Sequence, residues 1–189
     1  MSTDYTTLPD DLPEPIDDGA ADHLSGTPMP ALTLPATDGT QVRLDEPRPG
    51  RTVLYLYPMT GEPGTPLPDG WNEIPGARGC TPESCGFRDH HAELAQAGAP
   101  TVFGLSSQST EYQADLARRL ALPFPILSDE SLELARRLTL PTFETAGMRL
   151  YRRLTMIIAD ATIERVFYPV FPPDRHAAEV LGWLVANPG

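Results

Sequence analysis

Val53-Leu54-Tyr55-Leu56-Tyr57 is an uninterrupted apolar and aromatic run that stops at Pro58. A run with no polar alternation reads as a strand covered on both faces, the kind found at the centre of a sheet. Working outward, Thr101-Val102-Phe103-Gly104-Leu105 is a second such run and Leu154–Ile158 a third. Ile163–Tyr168 follows the third after a short Asp160-Ala161-Thr162 turn. Before the first run, Ala31–Leu34 and Gln41–Leu44 flank Asp38-Gly39, a hairpin signal. Helical spacing separates the strands: Phe87, His91 and Leu94; Tyr112, Leu116 and Leu120; Leu132, Ala135 and Leu138 after a candidate cap at Ser128; and Ala177, Val180, Leu181 and Leu184. Strands alternating with helices predict an α/β domain built on a central sheet.

Two stretches depart from this pattern. Residues 1–25 carry seven acids and no Arg, with prolines at 9, 13 and 15. That much charge with so little apolar surface predicts a disordered acidic tail, dispensable for chemistry, ahead of a domain over 26–189. Residues 59–79 hold Pro63, Pro66, Pro68 and Pro75 among several glycines, a composition that excludes a helix or a central strand. This long loop ends directly at Cys80.

Composition narrows the chemistry. The net charge is −12, which gives no general attraction to phosphate backbones, so nucleic acid is not an expected partner. All 14 basic residues are Arg, so lysine Schiff bases and the Walker lysine are excluded. No stretch is apolar for the roughly 20 residues a bilayer requires, and no basic-then-apolar leader opens the chain. The expectation is a cytoplasmic protein without a membrane partner. The two cysteines, Cys80 and Cys85, do not make a disulfide scaffold in a chain of 189 residues and point to metal or redox chemistry.

The segment Gly79-Cys80-Thr81-Pro82-Glu83-Ser84-Cys85-Gly86-Phe87-Arg88-Asp89 chooses between these. Thr81 before Pro82 reads as a helix start, a hydroxyl cap followed by a residue whose missing N–H costs nothing. Cys80 then lies at the helix mouth, where the backbone dipole favours thiolate over thiol. A zinc reading of Cys80, Cys85, His90 and His91 fails on reach, because Cys80 and His90 would stand about 15 Å apart along one helix axis whereas zinc ligands lie about 2.0–2.3 Å from the metal. A dithiol exchange site would favour Cys-x-x-Cys, and here four residues intervene. That reading, a thiol-disulfide oxidoreductase of thioredoxin-like fold, remains the alternative; a non-catalytic binding module is the other.

The pattern Gly-Cys-Thr-x-Glu-x-Cys-Gly-Phe-Arg-Asp resembles the active-site segment of peroxiredoxins of the Q type, the branch that includes bacterioferritin comigratory protein. Tyr57-Pro58, Phe124-Pro125-Ile126-Leu127-Ser128-Asp129 and Arg153-Leu154-Thr155-Met156-Ile157-Ile158 are similar to three further segments of that family, in the same order, so the resemblance spans roughly residues 28–186. It implies a thioredoxin-like fold, a central mixed sheet flanked by helices. It implies a thiol-dependent peroxidase acting on hydrogen peroxide or organic hydroperoxides, with no metal or organic cofactor and a thioredoxin-like protein as reductant. By position Cys80 would attack the peroxide, Arg153 would stabilise the thiolate and the leaving oxygen, Glu83 would orient Arg153, and Cys85 would resolve the oxidised sulfur as an intramolecular disulfide. Monomer and homodimer both stay open.

One departure stands out. The family pattern Pro-x-x-x-Thr/Ser-x-x-Cys is split, with Ala77 three residues before Cys80 and Glu73 seven before. Pro58 lies beyond the inserted loop, and Thr60 is the candidate for the displaced hydroxyl.

Overall fold

The computed structural model of the chain describes Tyr5 and residues 7–189. Nine strands and five α-helices follow one another as β1 (Thr33–Pro35), β2 (Gln41–Arg43), β3 (Arg51–Leu56), α1 (Cys80–Asp89), α2 (His91–Gln96), β4 (Thr101–Ser106), α3 (Thr110–Arg119), β5 (Ile126–Ser128), α4 (Glu133–Leu138), β6 (Thr142–Thr145), β7 (Met148–Tyr151), β8 (Leu154–Ala159), β9 (Thr162–Phe167) and α5 (His176–Ala186) among the described residues. Five of the strands form one mixed sheet in the order β5-β4-β3-β8-β9. β3 runs parallel to β4, and β4 to β5, while β8 is antiparallel to β3 and β9 to β8.

The run that predicted a central strand is β3, buried along its whole length. Its pleat separates two cores. Val53, Tyr55 and Tyr57 face a layer holding Phe87 of α1, Leu94 of α2, Leu116 of α3, and Val180 and Leu184 of α5. Leu54 and Leu56 face the opposite layer with Leu134 and Leu138 of α4 and the β1–β2 hairpin. Two tyrosines in a buried strand need partners for their hydroxyls. Tyr55 donates to Ser84 Oγ at 3.1 Å and Tyr57 to Gln113 Oε1 at 2.7 Å, so the sheet is pinned to α1 and to α3.

Several local expectations shift. The helix at Cys80 starts two residues earlier than the Thr-Pro signal suggests. Its cap is Gly79, at φ 105°, and Thr81 makes no capping hydrogen bond. The cap expected at Ser128 is supplied by Asp129, which accepts from the N–H groups of Glu133 at 2.9 Å and Leu134 at 2.8 Å, while Ser128 ends β5. β5 itself and the β6–β7 hairpin lie in short segments whose apolar pattern is too brief to read. The inserted loop of residues 59–79 is organised: Trp71 and Ala77 are buried with Leu150 of β7, and Phe143 of β6 packs beside them.

The acidic stretch reaches less far than residue 25. Ala21 and Leu24 are buried in the core beside α4. His23 Nε2 lies 2.8 Å from the Leu138 carbonyl, and Asp18 accepts from the Tyr168 hydroxyl at 2.9 Å. Two apolar residues spaced three apart among acids were enough to dock the chain, and the charged side chains stay in water. Just beyond, Gly26 N donates to Ile163 O and Ile163 N to Thr27 O, which covers the β9 edge, and Thr37 N donates to Ile126 O at the β5 edge. Both borders of the sheet are thereby covered over part of their length. The part of the tail expectation that falls on residues 1–4 and 6 lies outside the described residues. Among the described residues no helix is long and apolar enough to cross a membrane.

The placement of Leu24 is testable. Leu24→Ala should lower the unfolding free energy by about 2–5 kcal/mol, the usual cost of emptying a core leucine site. Urea unfolding followed by circular dichroism reads it directly; a leucine in a free tail would change the midpoint negligibly.

Candidate active site

The site forms where β3 ends and α1 begins, with the inserted loop between. Gly79 is what allows the chain to enter α1 there. Its φ of 105° disfavours any side chain, and a Cβ would stand 2.3 Å from Pro173 Cγ. Cys80 occupies the first turn of α1 and is almost fully buried. Leu154 pairs with Leu56 in the β8–β3 register, so Arg153 emerges beside the end of β3, under the mouth of α1.

There the sequence-derived residues meet. Arg153 Nη2 donates to Cys80 Sγ at 3.2 Å and to the carbonyls of Ala77 and Arg78, also at 3.2 Å. Arg153 Nη1 donates to Glu83 Oε2, and both side chains of this ion pair are buried. One guanidinium is thus fixed by a carboxylate on one side and presents its other nitrogen to the sulfur. The thiol faces the Ala77 carbonyl at 3.6 Å. Arg152, the neighbouring arginine, turns away and stacks over the Phe143 ring at 5.9 Å.

The electrostatics are a contest. Burial pushes the Cys80 thiol above its ordinary value; Arg153 pulls it back, Glu83 pushes it up, and the Met59 N–H lowers it. The expectation of a thiolate-favouring helix mouth is therefore outweighed in this closed geometry by complete desolvation, although Arg153 acts in the expected sense. Burial likewise raises Glu83, against the lowering effects of Arg153 and of His176. Glu83 Oε1 and Arg153 Nε have no hydrogen-bond partner among the described residues, so the pair is held by geometry rather than by full satisfaction of its polar atoms.

Cys85 lies in the same helix, half-buried, and both sulfurs are free. Burial raises its thiol while Arg88 lowers it. Thr60 fits the part of displaced hydroxyl in one respect: it is buried and lines the cavity in front of Cys80 together with Met59, Thr81 and Trp71. Its backbone is tied down by Gln108, whose Oε1 accepts from Thr60 N at 2.9 Å, and by the Tyr112 hydroxyl, which donates to Thr60 O at 2.7 Å. Among the described residues no three His, Cys, Asp or Glu side chains gather as metal ligands would. His90 instead contacts Glu93 and the His91 ring lies tilted against Phe124. Sequence reasoning missed His176. It is buried against Phe87 and Phe167, with Nε2 2.8 Å from Thr155 Oγ1. Its place at the start of the α5 stripe was the only clue.

A buried sulfur at a helix mouth, a buried arginine directed at it and a second cysteine on the same helix are the arrangement of a thiol-based redox enzyme of thioredoxin-like fold. A profile of the Redoxin family matches residues 24–181. Peroxiredoxin Bcp of Escherichia coli is 31% identical over 164 residues, covering 85% of this chain and 94% of that protein. A putative peroxiredoxin bcp of Coxiella burnetii is 29% identical over 162 residues, covering 84% and 97%. Among solved structures, peroxidoxin BcpB of Mycobacterium tuberculosis superposes with a TM-score of 0.69 at 28% identity, covering 88% of this chain and all of that one. The chain belongs to the Redoxin family, as a peroxiredoxin of the Bcp and Q type, and is a thiol-dependent peroxidase.

The opposing influences on Cys80 give a directional test. Arg153→Met removes the main group that lowers the thiol, so the thiolate absorbance at 240 nm should appear at higher pH than in the parent. The rate of any thiolate reaction climbs with pH through that same raised value. Arg152→Met should leave the titration where it is, and equal effects of the two substitutions would contradict the geometry.

Proposed function

We propose that Cys80 is the peroxidatic nucleophile and Cys85 the resolving thiol of a peroxidase that reduces hydrogen peroxide or organic hydroperoxides. The observation that supports this most directly is the single guanidinium shared between Glu83 and the Cys80 sulfur. The Cys80 thiolate attacks the terminal peroxide oxygen, an S–O bond forms and the O–O bond breaks. The sulfur becomes a sulfenic acid, and the departing oxygen leaves as alkoxide or hydroxide and takes up a proton. Arg153 offsets the charge that grows on that oxygen, where fixed donors in a dry site are most effective. Glu83 positions Arg153, and the Thr60 hydroxyl is the candidate to orient the peroxide. The Cys85 thiolate then attacks the sulfenic sulfur, the S–O bond breaks and hydroxide leaves and takes up a proton to become water, and an external dithiol protein of the thioredoxin type returns two electrons. Such a cycle suits a reducing compartment such as the cytoplasm.

Resolution requires movement. Five residues of regular helix set the Cys80 and Cys85 Cα atoms roughly 8–9 Å apart on different faces, and a disulfide wants less than about 7 Å. The first turns of α1 must therefore open. Gly79 and Gly86 flank the segment, and Pro82 supplies no N–H to the first turn.

Two experiments bear on these roles. Cys80→Ser should abolish peroxide consumption, whereas Cys85→Ser should react once and accumulate a sulfenic acid that dimedone traps; the reverse result would exchange the assignments. Oxidising the parent protein should lower its intact mass by about 2 Da, the two hydrogens lost in making one disulfide. The same oxidation should speed amide hydrogen exchange over residues 78–90. An intermolecular disulfide, or unchanged exchange, would dispose of the opening step.

A further inference from the structure

The cavity in front of Cys80 has a wall made partly by Tyr5, which lies ahead of the family match, and partly by the inserted loop within it. Tyr5 lines it, as do Gly61, Leu67 and Trp71 of the inserted loop. The Tyr5 hydroxyl donates to the Thr65 carbonyl at 2.5 Å, and the Arg78 guanidinium lies over the Tyr5 ring at 5.1 Å from its centroid. The chain behind Tyr5 runs along three glycines. Pro15 rests on Gly76, with 3.6 Å to the position of an added Cβ. Leu8 approaches that position at Gly79 to 2.9 Å, and the Tyr5 ring approaches it at Gly61 to 2.9 Å. The ring occupies its place only because residue 61 has no side chain. The stretch expected to be dispensable for chemistry thus supplies part of the boundary of the peroxide cavity.

The space is small and partly open to solvent. The cavity measures about 10 Å³, about enough for one water-sized molecule. Hydrogen peroxide is two oxygen atoms and their protons, little larger than water. An aryl or long-chain hydroperoxide has a substituent too large for that space and meets the wall to which Tyr5 and Leu67 contribute. We infer that Tyr5, seated against Gly61 and latched to Thr65, is a specificity-determining residue that makes this peroxidase discriminate between hydroperoxides by size. The inference rests on Cys80 being the peroxide-reactive sulfur.

The test uses the full-length reduced protein. Second-order rate constants for hydrogen peroxide and for cumene hydroperoxide are measured by stopped flow in the parent, Tyr5→Ala, Tyr5→Phe and Gly61→Ala. The ratio of cumene hydroperoxide to hydrogen peroxide is expected to rise about tenfold in Tyr5→Ala, the scale on which a pocket wall discriminates by volume. It should rise in the same direction in Gly61→Ala, where the new methyl displaces the ring. Tyr5→Phe, which keeps the ring and loses the bond to Thr65, should fall between. A second readout needs no peroxide: in a Cys85→Ser background, labelling of Cys80 by N-phenylmaleimide relative to iodoacetamide should rise in the same order. Ratios unmoved in both measurements overturn the inference, as does a Tyr5→Ala protein slowed equally toward both peroxides. If the labelling ratio shifts but the parent consumes neither peroxide, the filter stands and the peroxidase assignment of Cys80 is what fails.

Discussion

The buried pair of Arg153 and Glu83 is the contact on which the site depends. Neither charge would survive alone in this interior, since an unpaired buried ion costs several kcal/mol or more. Each therefore holds the other in place, and through them β8 is tied to α1. The arrangement serves Cys80 because a guanidinium has two ends: one satisfies the carboxylate, the other faces sulfur and two loop carbonyls. A lysine has no such fork, which fits a chain whose basic residues are all arginine. The rest of the fold can be understood as support for this placement. The β3–β8 register sets Arg153, Gly79 sets the start of α1, and the tyrosines of β3 fix the distance between sheet and helix.

Where burial is continuous and periodic, the fold was legible in the chain. The three long apolar runs became β3, β4 and β8, and the Asp38-Gly39 turn became the β1–β2 hairpin. What escaped were features that depend on tertiary partners. Ala21 and Leu24 look like incidental apolar residues in an acidic stretch until α4 is beside them. β6 and β7 are short and partly exposed, and their pairing matters because the inserted loop packs on them. The cap of α4 moved by one residue because Asp129 accepts from two backbone N–H groups and also from the Tyr151 hydroxyl at 2.5 Å, which Ser128 in its strand does not reach.

The site was readable in its chemistry and less so in its walls. Cys80, Glu83, Cys85 and Arg153 carry recognisable residue types at recognisable spacing, and the structure gathers Cys80, Glu83 and Arg153 within hydrogen-bonding reach. Spacing also favoured a low thiol value at the helix mouth, because a sequence displays the dipole but not the depth of burial that opposes it. Tyr5 and Trp71 are single aromatics in stretches whose composition reads as loop, and only folding shows them beside the sulfur.

Glu83 sits between the two cysteines on the same helix. In the proposed cycle, opening α1 far enough to join Cys80 to Cys85 would draw Glu83 off Arg153 as well. Such a disulfide state would forfeit both the first turns of the helix and the buried ion pair, so native contacts would oppose its formation. A bond made against such opposition has a reduction potential displaced toward the oxidising side, as for other labile catalytic disulfides. In that cycle the helix would act as a spring in the electron balance. It would yield to a sulfenic acid, a strong enough oxidant to drive closure, and its recoil would help the incoming dithiol to take the bond apart.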